Sequence, residues 1–227
     1  MSFEPLEIYP DFSKKTHPDF IAPRGKGVYR RGVKRVLDVA LVLIALPVVL
    51  PVVVIIALLV MCDGHSPFYW SARVGRNGRI FHMMKLRTMV HDAQDCLEDV
   101  LASDTEAAAE WKETQKLKLD PRITTFGRLL RKTSIDELPQ LWNVLIGDMA
   151  LIGPRPMMPD QRRIYPGRAY YVLRPGVSGP WQVSDRNECG FAKRADFDLE
   201  YHRTLSFTND VRLLLRTIAV VLRGTGY

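Results

Sequence analysis

Hydrophobic and polar residues divide this chain into distinct stretches. Residues 1–29 scatter charge among Pro5, Pro10, Pro18 and Pro23 and show no apolar period, which predicts a flexible tail. An uncharged, strongly apolar run follows over 39–62. Residues 68–70 and 80–84 predict short strands around the turn Gly75-Arg76-Asn77-Gly78. The Ala- and Glu-rich stretch 92–118 predicts a helix or a helical pair with a solvated face. Leu138, Leu141, Trp142 and Leu145 fall at i, i+3, i+4, i+7 and predict a helix over 138–145, stopped by Gly147. Prolines at 154, 156, 159, 166, 175 and 180 make 153–186 loop-dominated. A last helix is expected over 209–224, with Val211, Leu214, Leu215, Ile218, Val221 and Leu222 on one face and Arg212, Arg216 and Arg223 on another. Such a helix can lie on an anionic membrane or pack as a core helix with one solvated side. The pattern as a whole predicts an α+β, mainly helical chain with an amphipathic C-terminal helix. Its expected parts are a tail (1–29), a membrane helix (30–62) and a catalytic domain (63–227) that includes the acidic helical insert 92–118.

The apolar run is long enough to cross hydrocarbon, for which about 20 helical residues suffice. It starts too deep in the chain, and lacks the small-residue cleavage site, for a secretory signal peptide. A buried core helix is the other reading that length allows. The flanks favour the membrane and a particular topology. Arg24, Lys26, Arg30, Arg31, Lys34 and Arg35 precede the run; Arg73, Arg76, Arg79, Lys85 and Arg87 follow it. Positive charge marks the cytoplasmic side, so a helix that enters and leaves by the same face fits better than one that spans. Pro47 and Pro51 each remove a backbone donor in mid-run and predict a break or kink there.

Net charge is +7, but eight acids between Asp92 and Glu113 face Lys112 alone, so the rest of the chain carries about +14. That surface suits an anionic partner: nucleic acid, lipid headgroups or a phosphorylated substrate. Cys62, Cys96 and Cys189 are odd in number and lack metal spacing, which argues against a disulfide framework or zinc site and fits a reducing compartment.

Two features carry candidate chemistry. Asp136 and Glu137 stand together in Thr133-Ser134-Ile135-Asp136-Glu137-Leu138-Pro139. Ser134 with Glu137 matches a capping box. Capping by Asp136 instead would place Pro139 in the first turn, where its missing donor costs nothing. Both registers stay open, and both set the carboxylates at a positive helix end that favours ionisation. An ionised Asp can attack phosphorus and carry a covalent phosphoryl group, and Arg128, Arg131 and Lys132 supply nearby cations. The second feature is arginine on stiff backbone: Arg155 in Gly153-Pro154-Arg155-Pro156 and Arg174 in Arg174-Pro175-Gly176 can grip phosphate with little loss of freedom.

Ordered blocks over 34–224 resemble the small monotopic phosphoglycosyl transferases, also called bacterial sugar transferases. They include Lys34-Arg35-Val36-Leu37-Asp38, Arg73-Val74-Gly75-Arg76-Asn77-Gly78, Lys85-Leu86-Arg87-Thr88-Met89 and Asp120-Pro121-Arg122-Ile123-Thr124. Ser134-Ile135-Asp136-Glu137-Leu138-Pro139-Gln140-Leu141-Trp142-Asn143-Val144, Gly147-Asp148-Met149, the two arginine motifs and Trp181-Gln182-Val183 complete the match. The resemblance implies a re-entrant membrane helix broken at Pro51, with Pro47 an additional breaker and Leu50 where the family often has Ser. It implies Asp136 as the nucleophile and Glu137 as its partner, both at Mg²⁺, with Arg155, Arg174 and Arg87 on substrate phosphates and Asp198 as a further active-site residue. The expected reaction moves a sugar 1-phosphate from a UDP-sugar to undecaprenyl phosphate and releases UMP, as in the exopolysaccharide-initiating members that use galactose or glucose. The expected place is the cytoplasmic face of the bacterial inner membrane, against its lipids, with room for a homodimer and no nucleic acid. Competing readings are a glycosyl transferase releasing UDP and a basic membrane- or nucleic-acid-binding module; the latter lacks the interleaved aromatics of a base-stacking surface.

Overall fold

The apolar run forms one long helix, α1 (Lys34–Val60), led in by a π-helical turn at Tyr29–Val33. In the computed structural model, residues 27–114, 117, 120–184 and 191–222 are described; the expected tail up to residue 26 lies outside them. Only Asp38, Val42 and Ala57 of α1 are buried, while Leu43, Ile44, Val48, Ile55 and Leu58 stand exposed. With 6% of its most apolar window buried, α1 is not a core helix, and its surface calls for an apolar environment outside this chain. The break expected at Pro47 and Pro51 is not an interruption: both prolines lie inside a continuous helix. Each lacks an N–H, so the carbonyls of Leu43 and Pro47 go without ladder partners, but neighbouring turns keep the helical path.

After α1 the chain forms an antiparallel hairpin, β1 (Phe68–Val74) and β2 (Ile80–Leu86), in register from Phe68↔Leu86 to Val74↔Ile80. Asn77 and Gly78, at φ 59° and 74°, take the left-handed conformations that turn it. The acidic stretch is a helical pair, α2 (Ala93–Ser103) and α3 (Thr105–Thr114), half of whose described side chains are exposed and of which Leu97 is buried. Then come α4 (Thr125–Thr133), capped where Thr124 Oγ1 accepts from Gly127 N at 2.8 Å, and α5 (Gln140–Ile146), ended by Gly147 at φ 100°. The region expected as loop contains α6 (Ala169–Val172) and β4 (Gly176–Ser178), which pairs in parallel with β3 (Ala150–Ile152) just before that region. Two final helices are α7 (Arg194–Thr204) and α8 (Phe207–Leu222). The expected amphipathic helix is α8: Leu213 is buried, whereas Val211, Leu215, Ile218 and Val221 are exposed.

Both ends of α1 are tied to this unit. At its start Lys34 Nζ donates to Asp210 Oδ2 at 2.7 Å and sits 3.5 Å from Asp38. Tyr29 and Tyr201 hydroxyls also donate to Asp210, each at 2.7 Å. Arg35 reaches the last-turn carbonyls of α5, at Val144 and, at 2.8 Å, Leu145. At its end the Val60 carbonyl accepts from Arg87 at 3.1 Å.

Asp210 is buried and holds three donors from three elements. Removing one member of a buried ion pair strands its partners and costs about 3–5 kcal/mol. Asp210→Ala is therefore expected to lower the thermal unfolding midpoint of the detergent-solubilised protein markedly. An unchanged midpoint would mean that this network does not hold α1.

Candidate active site

Asp136 and Glu137 lie on a single 3₁₀ turn, Ile135–Glu137. α4 ends at Ser134, which adopts φ 57°, and Pro139 stands immediately before α5. Neither expected capping register forms, because left-handed Ser134 reverses the chain and makes no side-chain cap, and the position before α5 belongs to Pro139. With no long helix behind the pair, burial governs its charge. Asp136 is 6% exposed, and burial pushes its carboxyl up to about 6; the Lys85 ammonium opposes this, Glu137 adds to it and Arg131 opposes it. The expectation that a helix end keeps Asp136 readily ionised is thereby corrected.

The turn is aimed by its neighbours. Asn143, wholly buried on α5, donates from Nδ2 to the His82 carbonyl at 2.8 Å and accepts at Oδ1 from Met84 N at 3.0 Å. It pairs with β2 as a neighbouring strand would, which fixes α5 and the preceding turn against that strand. One residue beyond Met84, Lys85 Nζ donates to Glu137 Oε1 at 2.7 Å. From the other side Arg131 Nε donates to Thr88 Oγ1 at 2.9 Å. A Cβ at Gly127 would collide with the Thr88 carbonyl, so only glycine lets α4 come this close. Arg128 and Lys132, the other cations before the pair, point to solvent.

The three arginines expected on phosphate have different settings. Arg87 donates twice to Asp63 at 2.6 Å, to Ser66 O at 2.7 Å and to Val60 O, so it binds the exit of α1. Arg174 donates from Nε to Gly147 O at 2.9 Å and closes the end of α5. Arg155 has no hydrogen-bond partner among the described residues; its guanidinium lies 5.5 Å from the Trp181 ring centre. Close backbone packing presents it: a Cβ at Gly176 or Gly179 would run into the Gly153 backbone.

Asp198 falls in the Arg155 group and not beside Asp136. It is 3% exposed and accepts from Tyr165 Oη at 2.5 Å. Burial pushes its carboxyl up to about 7, while the Tyr165 bond and the charge of Arg194 hold it back. The expected residues thus form two groups along one face of the hairpin. Tyr69, opposite Lys85, and Arg73, opposite Phe81, share that face four residues apart, which is roughly 13 Å along a strand. Sequence reading did not single out Lys85, Arg73, Arg194 or Trp181 individually, although the first two and Trp181 lie within the ordered blocks.

Asp198 makes a pH prediction. Folded, it keeps its proton to about 7, whereas an unfolded Asp releases it near about 3.9. The bound proton stabilises the fold fully below the lower value, and this contribution is lost as pH rises towards 7. Asp198→Asn should flatten the fall in unfolding midpoint between about pH 4 and 7 that the parent shows. Identical pH profiles would mean that Asp198 is ionised in the folded protein.

Comparison with known proteins gives the family of the chain. A family model described as bacterial sugar transferase matches residues 29–224. A UDP-galactose-lipid carrier transferase of Erwinia amylovora is 46% identical over 198 residues, covering 86% of this chain and 42% of its own. An undecaprenyl-phosphate galactose phosphotransferase of Salmonella typhimurium is 43% identical with the same coverage. The exopolysaccharide production protein ExoY of Rhizobium meliloti is 40% identical over 196 residues, covering 85% of this chain and 87% of its own. The chain thus spans about two fifths of the first two relatives and most of the third. It belongs to the bacterial sugar transferase family.

Proposed function

We propose that this protein moves a sugar 1-phosphate from a UDP-sugar onto undecaprenyl phosphate, releasing UMP, as the opening step of exopolysaccharide assembly. The observation that carries the reading is a buried carboxylate, Asp136, next to a carboxylate already engaged by a lysine, in a chain whose relatives are named for this transfer. The galactose named for two relatives and the glucose named for one from Komagataeibacter xylinus make a hexose the expected sugar.

In the first step an Asp136 oxygen bonds to the sugar-bearing phosphorus, and the bond to the bridging oxygen breaks with its electron pair leaving on UMP. Lys85 and Arg131 reduce the repulsion between this carboxylate and the incoming diphosphate. In the second step an oxygen of the lipid phosphate attacks the same phosphorus and Asp136 departs. Asp136 and Glu137 supply two carboxylates, and no group of three or more His, Cys, Asp or Glu that could hold a metal occurs among the described residues. That donor set fits Mg²⁺, which commonly takes one or two carboxylates and completes its shell with water and substrate phosphate. Bound there, Mg²⁺ would neutralise charge on the diphosphate.

The membrane reading follows from the same contacts. Lys34 and Arg35 at one end of α1, and Val60 at the other, bond to a single folded unit. A helix crossing the bilayer would require groups of that one unit, Asp210 and the α5 carbonyls at one end and Arg87 at the other, to lie on opposite sides of the hydrocarbon. A monotopic arrangement, with both ends at the cytoplasmic face of the inner membrane, keeps both sets of bonds and satisfies the two basic flanks.

Asp136→Asn should abolish transfer, because an amide does not form the acyl phosphate, and Glu137→Gln should reduce it at least ~100-fold through lost metal binding. The measurement is nucleotide release from UDP-hexoses with undecaprenyl phosphate and Mg²⁺. UDP as product, or full turnover by folded Asp136→Asn, would sink the covalent route. For topology, a Ser2→Cys variant lacking the three native cysteines should resist an impermeant thiol reagent in intact cells. Labelling from outside would mean that α1 spans the bilayer.

A further inference from the structure

Most buried or half-buried arginines in the described structure are occupied. Arg87 binds Asp63, Arg122 binds Asp120 through two bonds at 2.8 and 2.7 Å, Arg35 and Arg174 cap carbonyls of α5, and Arg131 binds Thr88. Arg73, Arg155 and Arg194 are different. None has a hydrogen bond or ion pair among the described residues, and the Nε atoms of Arg73 and Arg194 are buried with no acceptor. The indole N–H of Trp181, a residue only 6% exposed, is likewise buried without an acceptor.

These groups share one place. The Arg194 guanidinium lies 4.1 Å and that of Arg155 5.5 Å from the Trp181 ring centre. Arg73 joins them through backbone pairing: Val74 N donates to Met157 O at 3.0 Å, which sets β1 beside the strand-like loop that carries Arg155. Burial lowers the proton affinity of Arg73 and Arg194 most and the charge of Arg155 lowers both further, while Asp160, Asp198 and nearby tyrosines act in the opposite sense. Asp198 is itself buried and engaged by Tyr165. Three cations and several N–H donors held half-buried without acceptors are unfavourable, and a bound anion relieves this.

We infer that Arg73, Arg194 and the Trp181 indole, together with Arg155, form the cradle for the departing phosphomonoester, the phosphate of the nucleoside monophosphate. The inference rests on the transfer reaction proposed above. When the phosphorus–oxygen bond breaks, the electron pair settles on the nucleotide's phosphate, which becomes a dianion; guanidinium forks meet that charge as it develops. A lipid phosphate would bring the same chemistry, but the location favours the nucleotide. β1 begins shortly after the exit of α1 at Asp63, and Lys85 pairs with Tyr69 near that end. Arg73 lies at the far end of the strand, roughly 17 Å from Phe68, on the side away from the membrane helix's exit.

The test uses the full chain in detergent with Mg²⁺ and titrates UMP, inorganic phosphate and a short-chain polyprenyl phosphate. UMP is expected to change tryptophan emission saturably in the parent but not in Trp181→Phe. Arg73→Gln and Arg194→Gln should each weaken UMP binding about ten-fold or more and raise the KM for the UDP-sugar, with the KM for polyprenyl phosphate unchanged. If either Gln variant fails to fold, Arg73→Lys or Arg194→Lys keeps the charge without the planar fork and should show the same loss in smaller degree. Unchanged UMP binding in the folded variants, or a KM shift confined to the polyprenyl phosphate, overturns the cradle. A parent that releases UMP while these variants bind it normally defeats only this inference; a parent that releases UDP defeats the transfer reaction itself.

Discussion

Everything in this fold depends on keeping Asp210 satisfied. A carboxylate buried at the start of α8 is tolerable only if cations and hydroxyls converge on it, and the groups that converge come from far apart in the chain: Tyr29 and Lys34 before and within α1, and Tyr201 on α7. The same Tyr201 proton is shared with the Ile152 carbonyl, 3.1 Å from the hydroxyl oxygen, which adds β3 to the same junction. One charge therefore ties the apolar helix to the strand that leads into Gly153 and Arg155. Because α1 buries so little of its own surface, polar bonds at its ends, more than apolar packing along its length, set its position.

From that junction the constraint travels through α5. Arg35 holds the last carbonyls of α5 and Asn143 on the same helix pairs with the edge of β2. One set of contacts takes the last-turn carbonyls of this short helix and the other takes a buried side chain on it, so α1, α5 and β2 have a single mutual arrangement. The 3₁₀ turn that carries Asp136 leads directly into this helix, and its place beside Lys85 follows. A seven-residue helix would be marginal alone; here its capped end and its buried amide supply the order.

Legibility in the sequence tracks periodicity. α1 was readable because no charge interrupts it, the hairpin because Asn77-Gly78 marks the turn, and α8 because its apolar residues recur with helical spacing. α7 was missed because its buried residues are polar: Asp198, Tyr201 and His202 leave no apolar stripe. β3 and β4 were missed because three-residue strands among prolines carry almost no pattern. At the site the carboxylate pair was found by its residue types, and Arg155 by its stiff flanks. Arg87 and Arg174 carried the same surface signal, yet their partners, Asp63 and the Gly147 carbonyl, are set by tertiary contacts that spacing does not encode. Arg194 had no local mark, and Arg73 only its place in the basic flank and in an ordered block, since what distinguishes them is the lack of a partner among the described residues in three dimensions.

The two ends of the hairpin face opposite electrostatic problems, and this division suits a transfer in two halves. At one end a buried acid, raised to about 6, would in the proposed reaction lose its proton and then accept a phosphorus; the adjacent Lys85 and Arg131 favour the ionised form without a direct bond that would block the attacking oxygen. At the other end, cations are gathered with no acid positioned to neutralise them fully. In the proposed reaction a UDP-sugar laid along the strand face would meet the nucleophile with its sugar-bearing phosphate and the unpartnered guanidiniums with its nucleotide end. Binding energy from the nucleotide end then goes into placing the sugar-bearing phosphate, which is how a remote contact accelerates a reaction at a neighbouring atom.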